Sequence, residues 1–289
     1  MGMKKKRFEK RHLVEWFMKT LMRISFVIVA SALGLILWTI IARGLPSLSW
    51  SMISQIPKGG YYMGKEGGIL NAIIGSAYLA SGGTLLAILL SLPIALYLKT
   101  YLGTSKWGDY VRLSLDVLWG IPSIVYGAFG FALMIMFGMR ASLLAGILVL
   151  ALVELPIMTR AMDEVIRRMP VDLEQAALAL GSTKFEVALN VVTRQMLPGI
   201  VTAILLAFGR GIGDAASVLF TAGYTDRIPS SLMRPTASLP LAVFFQLGSP
   251  YAEVRERGYA AALILTIIVL AVSLGARFLS GRLNRYTVK

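Results

Sequence analysis

Arg210 and Asp214 are the residues of this chain whose types and spacing are best suited to chemistry. They stand four apart in a long apolar stretch, among Gly209, Gly211 and Gly213. On a helix, residues four apart share a face. An Arg or Asp at the centre of a membrane helix costs roughly 2.5–3.5 kcal/mol on insertion scales, so such residues face an aqueous cavity or one another. Arginine presents a planar fork of donors that fits an oxyanion in bidentate fashion. The surrounding glycines weaken the helix and let backbone or ligand come close. The residues alone leave two readings. One is an anion contact along a pathway; the other is a buried structural ion pair beside glycines that serve helix packing. Asp116 and Glu154 are further acids in apolar segments. Both are expected near span ends, as interfacial charges paired with a neighbouring helix.

A second group lies in the polar run from Asp163 to Pro198. Pro170 precedes a helix start, and Asp172 with Gln175 three residues on has the spacing of a capping box. About two turns of helix follow, and Gly181 stands where a left-handed residue can end them. Thr183 and Glu186 repeat the capping pattern. Two helices should therefore meet at a sharp corner. The first carries Glu174, Gln175, Ala176, Ala177 and Leu178, and its small residues leave a narrow face that another protein could approach closely. The plainer reading is an ordinary helix–turn–helix connector.

Several classes of chemistry are excluded. The chain has no cysteine and a single histidine, His12, within a basic tail. Disulfides, thiolate catalysis and a histidine metal cluster are thereby ruled out within one chain. Gly59, Gly64 and Lys65 mimic the spacing of a phosphate-binding loop, but Glu66 occupies the Ser/Thr position and no strand precedes it. That context does not support nucleotide binding. A flexible outer loop is the expectation there.

The elements that must position these residues are membrane helices. Apolar residues make up 56% of 289, and mean hydropathy is +0.71. Such a composition, with several apolar runs near 20 residues, describes an all-α polytopic membrane protein. The net charge of +14 is concentrated at the N-terminus, without the interleaved aromatics of a base-stacking groove. Residues 1–23 read as a basic, partly helical arm, and 24–289 as one transmembrane domain with the 163–198 loop inside it. Six spans are expected, at about 24–42, 69–98, 115–137, 141–160, 197–221 and 259–280. Pro93 is placed to kink the second span, and the short link at 138–140 makes the third and fourth antiparallel neighbours. Trp50, Tyr61 and Tyr62 read as interfacial residues. The stretch 239–247 is too short to cross and reads as an interfacial or re-entrant helix. Lys and Arg divide 20 against 8 in favour of the side holding both termini and the 163–198 loop. That side is expected to be the cytoplasm.

Three stretches resemble known families. Gln175-Ala176-Ala177 through Gly181 is similar to the EAA motif of ABC importer membrane subunits, with Gln175 at the usual Glu position and Glu174 beside it. The downstream Leu-Pro pair of that motif would fall on Thr193 and Arg194, although Leu197-Pro198 follows. Gly209-Arg210-Gly211-Ile212-Gly213-Asp214 with Leu219 to Gly223, and Gly120 to Gly127, resemble phosphate importer permeases of the PstA type. Asp214 stands where that family has Glu. The resemblance covers roughly residues 66–280. It implies a type I ABC importer fold and a cytoplasmic coupling helix seated on an ATPase. It also implies a second permease of similar fold, two ATPase subunits that bind ATP and Mg, and an extracytoplasmic phosphate-binding protein. The expected function is half of the translocation pathway for inorganic phosphate in a bacterial or archaeal plasma membrane. This subunit would do no catalysis and hold no cofactor, and Arg210 would touch the anion. The alternatives are an ABC permease for another small solute, an ion-coupled transporter or channel using Asp214 or Glu154, and an intramembrane enzyme. The lone histidine and the lack of convergent carboxylates weigh against the last.

Overall fold

The computed structural model describes residues 2–58 and 66–283. The Gly59–Lys65 stretch, with Tyr61 and Tyr62, lies outside the described residues, as does the basic tail beyond 283. Four helices are long and apolar enough to cross a membrane, or up to six if each of two bent pairs is one span. Helix α1, Gly2–Gly44, is a single helix that joins the basic arm to the first span. It lies at the periphery. Gly44 sits where a β-carbon would meet the Tyr259 carbonyl oxygen at 2.6 Å, and Arg43 Nη1 donates to the Tyr259 hydroxyl at 3.2 Å. A short helix α2, Trp50–Ser54, and the antiparallel pair β1, Pro57–Lys58, and β2, Glu66–Gly67, lead to the central helix.

That helix is α3, Leu70–Tyr97, and it packs lengthwise on α6, Leu143–Ile166. Small residues make the approach possible. Ala80 and Ala87 are fully buried, and a β-carbon on Gly83 would touch Leu150 at 3.1 Å. Helices that meet in lipid gain from such close van der Waals contact rather than from water exclusion. Helix α3 runs through Pro93 and continues as a π-helical turn, Leu98–Leu102, to a left-handed Gly103.

Two expected spans are broken. The third consists of α4, Lys106–Gly120, and α5, Ser123–Met136, bent by 94°. Ile121 lies between them in extended conformation (φ −72°, ψ 129°). The residue before a proline is pushed out of the helical region, and Pro122 imposes that here. The fifth span is shorter than expected. It reaches only from Leu197 to Gly211, as α10, and meets the preceding helical segment, which ends in the short helix α9, Thr193–Gln195, at 75°. Three glycines in five residues, each costing about 1 kcal/mol relative to Ala, end it. The chain from 212 to 238 then runs without regular helix, yet Ser217, Thr221, Ala222, Thr236 and Ala237 are fully buried. Irregular backbone at membrane depth needs protein partners, and it has them. Leu143 and Leu144, in the first turn of α6, donate their N–H groups to the carbonyls of Arg234 and Leu232, both at 2.8 Å. Asn71 Nδ2 donates to the Thr225 carbonyl at 2.6 Å. The segment thus satisfies donors that a helix N-terminus leaves open. Gly127 of α5 lies so close that a β-carbon would meet the Ala216 and Ser217 carbonyls at 2.8 Å.

The stretch expected to be too short to span is helix α11, Leu239–Leu247, with Ser238 accepting from Leu241 N–H at its start. Leu239 and Leu241 are fully buried, so it enters the bundle rather than lying on its surface. Helix α12, Ala252–Leu283, completes the bundle against α10, α11 and α1.

Candidate functional site

The corner in the polar loop forms as a compact device. Helix α7, Val171–Ala179, ends at Leu180, and Gly181 has φ +88°. Ser182 N–H donates to the Ala177 carbonyl at 3.2 Å and Gly181 N–H to the Leu178 carbonyl at 3.0 Å. This pair of bonds is a Schellman closure, which requires the left-handed residue. The expected cap at the other end does not form. Pro170 occupies the cap position without a side-chain bond, and Asp172 and Glu174 fall in the first turn instead. There their charge favours the positive end of the helix dipole. The second capping box does form: α8, Lys184–Glu186, starts with reciprocal bonds between Thr183 and Glu186. The Thr183 backbone N–H and hydroxyl hold the Glu186 carboxyl below its usual range.

Helix α7 divides into two faces. Leu173 and Ala177, four apart, pack on the core formed by α3, α6 and α10. Glu174 pairs with Lys99 at 3.6 Å and so ties α7 to the end of α3. Gln175, Ala176, Leu178 and Ala179 face outward, and the corner residue Leu180 is 88% exposed. An apolar residue so placed suits a protein surface that covers it. Of the residues singled out from sequence, Ala177 and Glu174 thus hold the helix down, and Gln175, Ala176 and Leu178 present it.

Between α4 and α6 lies a charge cluster that the sequence reading caught only at Asp116. Asp163 is fully buried at the end of α6 and accepts from Arg112 Nε of α4 at 2.9 Å and Arg160 Nη1 at 3.2 Å. Arg160 Nε also donates to Asp116 at 2.6 Å. Arg112 further donates to the Gly103 carbonyl at 2.9 Å. Removing one partner of a buried pair costs about 3–5 kcal/mol, because a charge is then left alone. The cluster therefore locks α4, α6 and the end of α3 together. Opposite charges at the ends of adjacent apolar segments were the legible signal. The loop boundary drawn at Asp163 hid it.

The pathway residues expected on one helix face are not together. Arg210 is in the last turn of α10 and Asp214 is beyond its end. Among the described residues no carboxylate pairs with Arg210. Asp214 instead accepts from Ser217 N–H at 3.1 Å. Arg210 and Gly209 line a cavity of ≈ 610 Å³ between α10 and α12, with Thr202, Ser273 and Arg277. Gly211 turns the other way, into the core, and a β-carbon there would overlap Glu154 Oε1. A β-carbon on Gly213 would make ordinary contact with the Arg210 carbonyl oxygen at 3.7 Å.

Glu154 corrects the expectation of an interfacial charge. Helix α6 extends further than the expected span, so Glu154 falls midway along it, fully buried. Thr84 of α3 donates to Oε2 at 2.8 Å. Oε1 has no hydrogen-bond partner among the described residues.

Comparison with known proteins places this geometry. The family described as "Binding-protein-dependent transport system inner membrane component" matches residues 87–287. The chain is 37% identical over 246 residues to a phosphate transport system permease protein PstA of Xylella fastidiosa, covering 83% of each. It is 32% identical over 271 residues to the Haemophilus influenzae PstA, covering 94% of this chain and 95% of that one. It is 35% identical over 272 residues to PstA 1 of Mycobacterium tuberculosis, covering 90% and 86%. Among solved structures, a chain of the inward-facing MetNI methionine ABC transporter superposes with TM-score 0.62 at 16% identity, over 74% of this chain and 95% of that one. A chain of an amino acid ABC transporter with histidines gives 0.57 at 20% identity, over 74% and 93%.

Proposed function

Because the chain belongs to the family of binding-protein-dependent transport inner membrane components, and within it to the PstA-type phosphate permeases, we propose that it forms half of the translocation pathway of an ATP-driven inorganic phosphate importer. The fold is that of the membrane subunits of type I ABC importers. In this reading α7 is the coupling helix. Its outward face, with Gln175, Ala176, Leu178 and Leu180, seats in a cytoplasmic ATPase that binds ATP and Mg²⁺. Closure of two such ATPases pushes on α7, and the Lys99–Glu174 pair and the Arg112–Asp163–Arg160 cluster pass that movement to α3, α4 and α6. A second permease of similar fold covers the α10/α12 side. Arg210 offers phosphate a transient bidentate contact between the two subunits, with Gly209, Gly211, Gly213 and Asp214 shaping the break beside it. A phosphate-binding protein delivers the anion from the outer side. The subunit itself does no catalysis, and both termini lie in the cytoplasm of a bacterial or archaeal cell.

The observation that carries this reading is the exposed α7 with its Schellman corner, in a chain similar over most of its length to phosphate permeases. The absence of cysteine makes a direct test simple. Cysteine introduced at Ser182 should react with impermeant reagents only from the cytoplasmic side, and bound ATPase should protect it. Cysteine at Ser231 should react only from outside. The opposite sidedness, or no ATPase recovered with the purified chain, would reject the assignment.

A further inference from the structure

We propose that Glu154 is a proton-binding site, neutral in this conformation, whose loss of the proton is coupled to movement of the α10 break at Gly211. The carboxyl is fully buried at mid-bundle, and one of its oxygens has no partner among the described residues. A charge in such a place needs a counter-charge or a full set of donors. The elements packed around it supply neither. Helix α3 contributes only the Thr84 hydroxyl and has no Asp, Glu, Lys or Arg. Helix α5 has none either, and the hydroxyl of its Tyr126 donates to the Leu118 carbonyl. The one charged residue of α10 is Arg210, which lines the cavity on the α12 side. On α6 itself, Arg160 and Asp163 are engaged with each other, Asp116 and Arg112, and Glu164 pairs with Arg168. The next ionisable residue along the break is Asp214, three residues beyond Gly211 and an acid of the same sign.

Position gives the proton its consequence. Oε1 rests against the α-carbon of Gly211, where a β-carbon would overlap it. Gly211 is the last residue of α10, and Asp214 follows in the turn where its N–H donates to the Gly211 carbonyl at 3.1 Å. A neutral carboxyl can lie against this backbone. A carboxylate with the Thr84 hydroxyl as its single donor and no counter-charge cannot stay there at low cost, so it must draw in water or displace the end of α10. No covalent step is involved: a proton leaves the carboxyl for solvent and returns. This site does not depend on which solute the importer carries.

Infrared spectroscopy of the complete transporter in lipid tests it. At neutral pH the wild type should show a protonated-carboxyl carbonyl band that shifts on deuterium exchange and is absent in Glu154→Gln. The band should fade as pH rises, and the ATPase activity of the wild type should fall with it. In Glu154→Gln, which keeps the shape and an acceptor for Thr84, that alkaline fall should be lost. Glu154→Met gives a second neutral variant in case the amide perturbs folding. Absence of a Glu154-dependent band would overturn the proposal, as would an unchanged alkaline limb in the variants. So would failure of both neutral variants to assemble, since that would mean the charge itself is needed. The band needs neither substrate nor nucleotide, so it can fail while the transport reading stands, and the reverse also holds.

Discussion

Gly181→Val should leave a transporter that inserts but no longer couples. Gly181 has φ +88°, with nothing within 4 Å of where a β-carbon would stand. The obstacle is therefore conformational and not steric crowding. A left-handed residue costs an ordinary L-amino acid roughly 1–2 kcal/mol, and a β-branched one is a genuine outlier there. Valine would open the Schellman bonds at Ser182 and Gly181 and swing Leu180 off its corner. Span packing, which rests on α3 and α6, should be untouched. Ala176→Trp attacks the same contact from the exposed face and leaves the loop backbone alone. Both variants should appear in the membrane at wild-type levels, with substrate-stimulated ATPase and uptake reduced about tenfold or more, equivalent to about 1.4 kcal/mol of lost docking. Wild-type coupling in both would remove α7 from the ATPase interface. Ala177 is not a suitable probe, because its side chain faces the core.

Arg210→Gln should abolish uptake almost wholly, and Arg210→Lys in large part, with ATPase binding retained. Lysine keeps the charge and loses the planar fork that holds an oxyanion through two donors. The competing explanation is that Arg210 neutralises Asp214. Under that explanation Arg210→Gln with Asp214→Asn would restore uptake, because no unpaired charge would remain. Arg210 makes no ion pair among the described residues, and Asp214 is bonded to Ser217 N–H. The double variant should therefore stay inactive. Its recovery would mean a structural pair and would end the assignment of Arg210 to the anion path.

Much of this arrangement was legible because it rests on local rules. Gly181 and the Thr183–Glu186 box follow from backbone conformation and side-chain reach, which act within a few residues. The Leu239–Leu247 helix was legible from its length. What the sequence hid is non-local. The glycines around Arg210 were read as weak points in a helix of membrane-spanning length, but they end it. The next 27 residues survive as irregular backbone because α6 and α3 supply their partners. The bend at Ile121 was present in the sequence as a pre-proline residue, yet apolarity across 115–137 masked it. The depth of Glu154 depended on where α6 ends, and hydropathy falls off at Arg160 although the helix continues to Ile166. Charges such as Arg160 and Asp163 extend a helix when they find partners on a neighbour, here Asp116 and Arg112 of α4, and single-chain hydropathy does not register that.

The central claim is that this chain conducts phosphate under the drive of a partner ATPase. The most direct measurement is uptake of radiolabelled phosphate into vesicles. The vesicles should hold this chain with its partner permease and ATPases, and receive the binding protein from outside and ATP from within. The account predicts uptake that requires hydrolysable ATP, is competed by unlabelled phosphate and not by sulfate, and is lost in Arg210→Gln. Equal uptake without ATP, driven by an ion gradient alone, would contradict it.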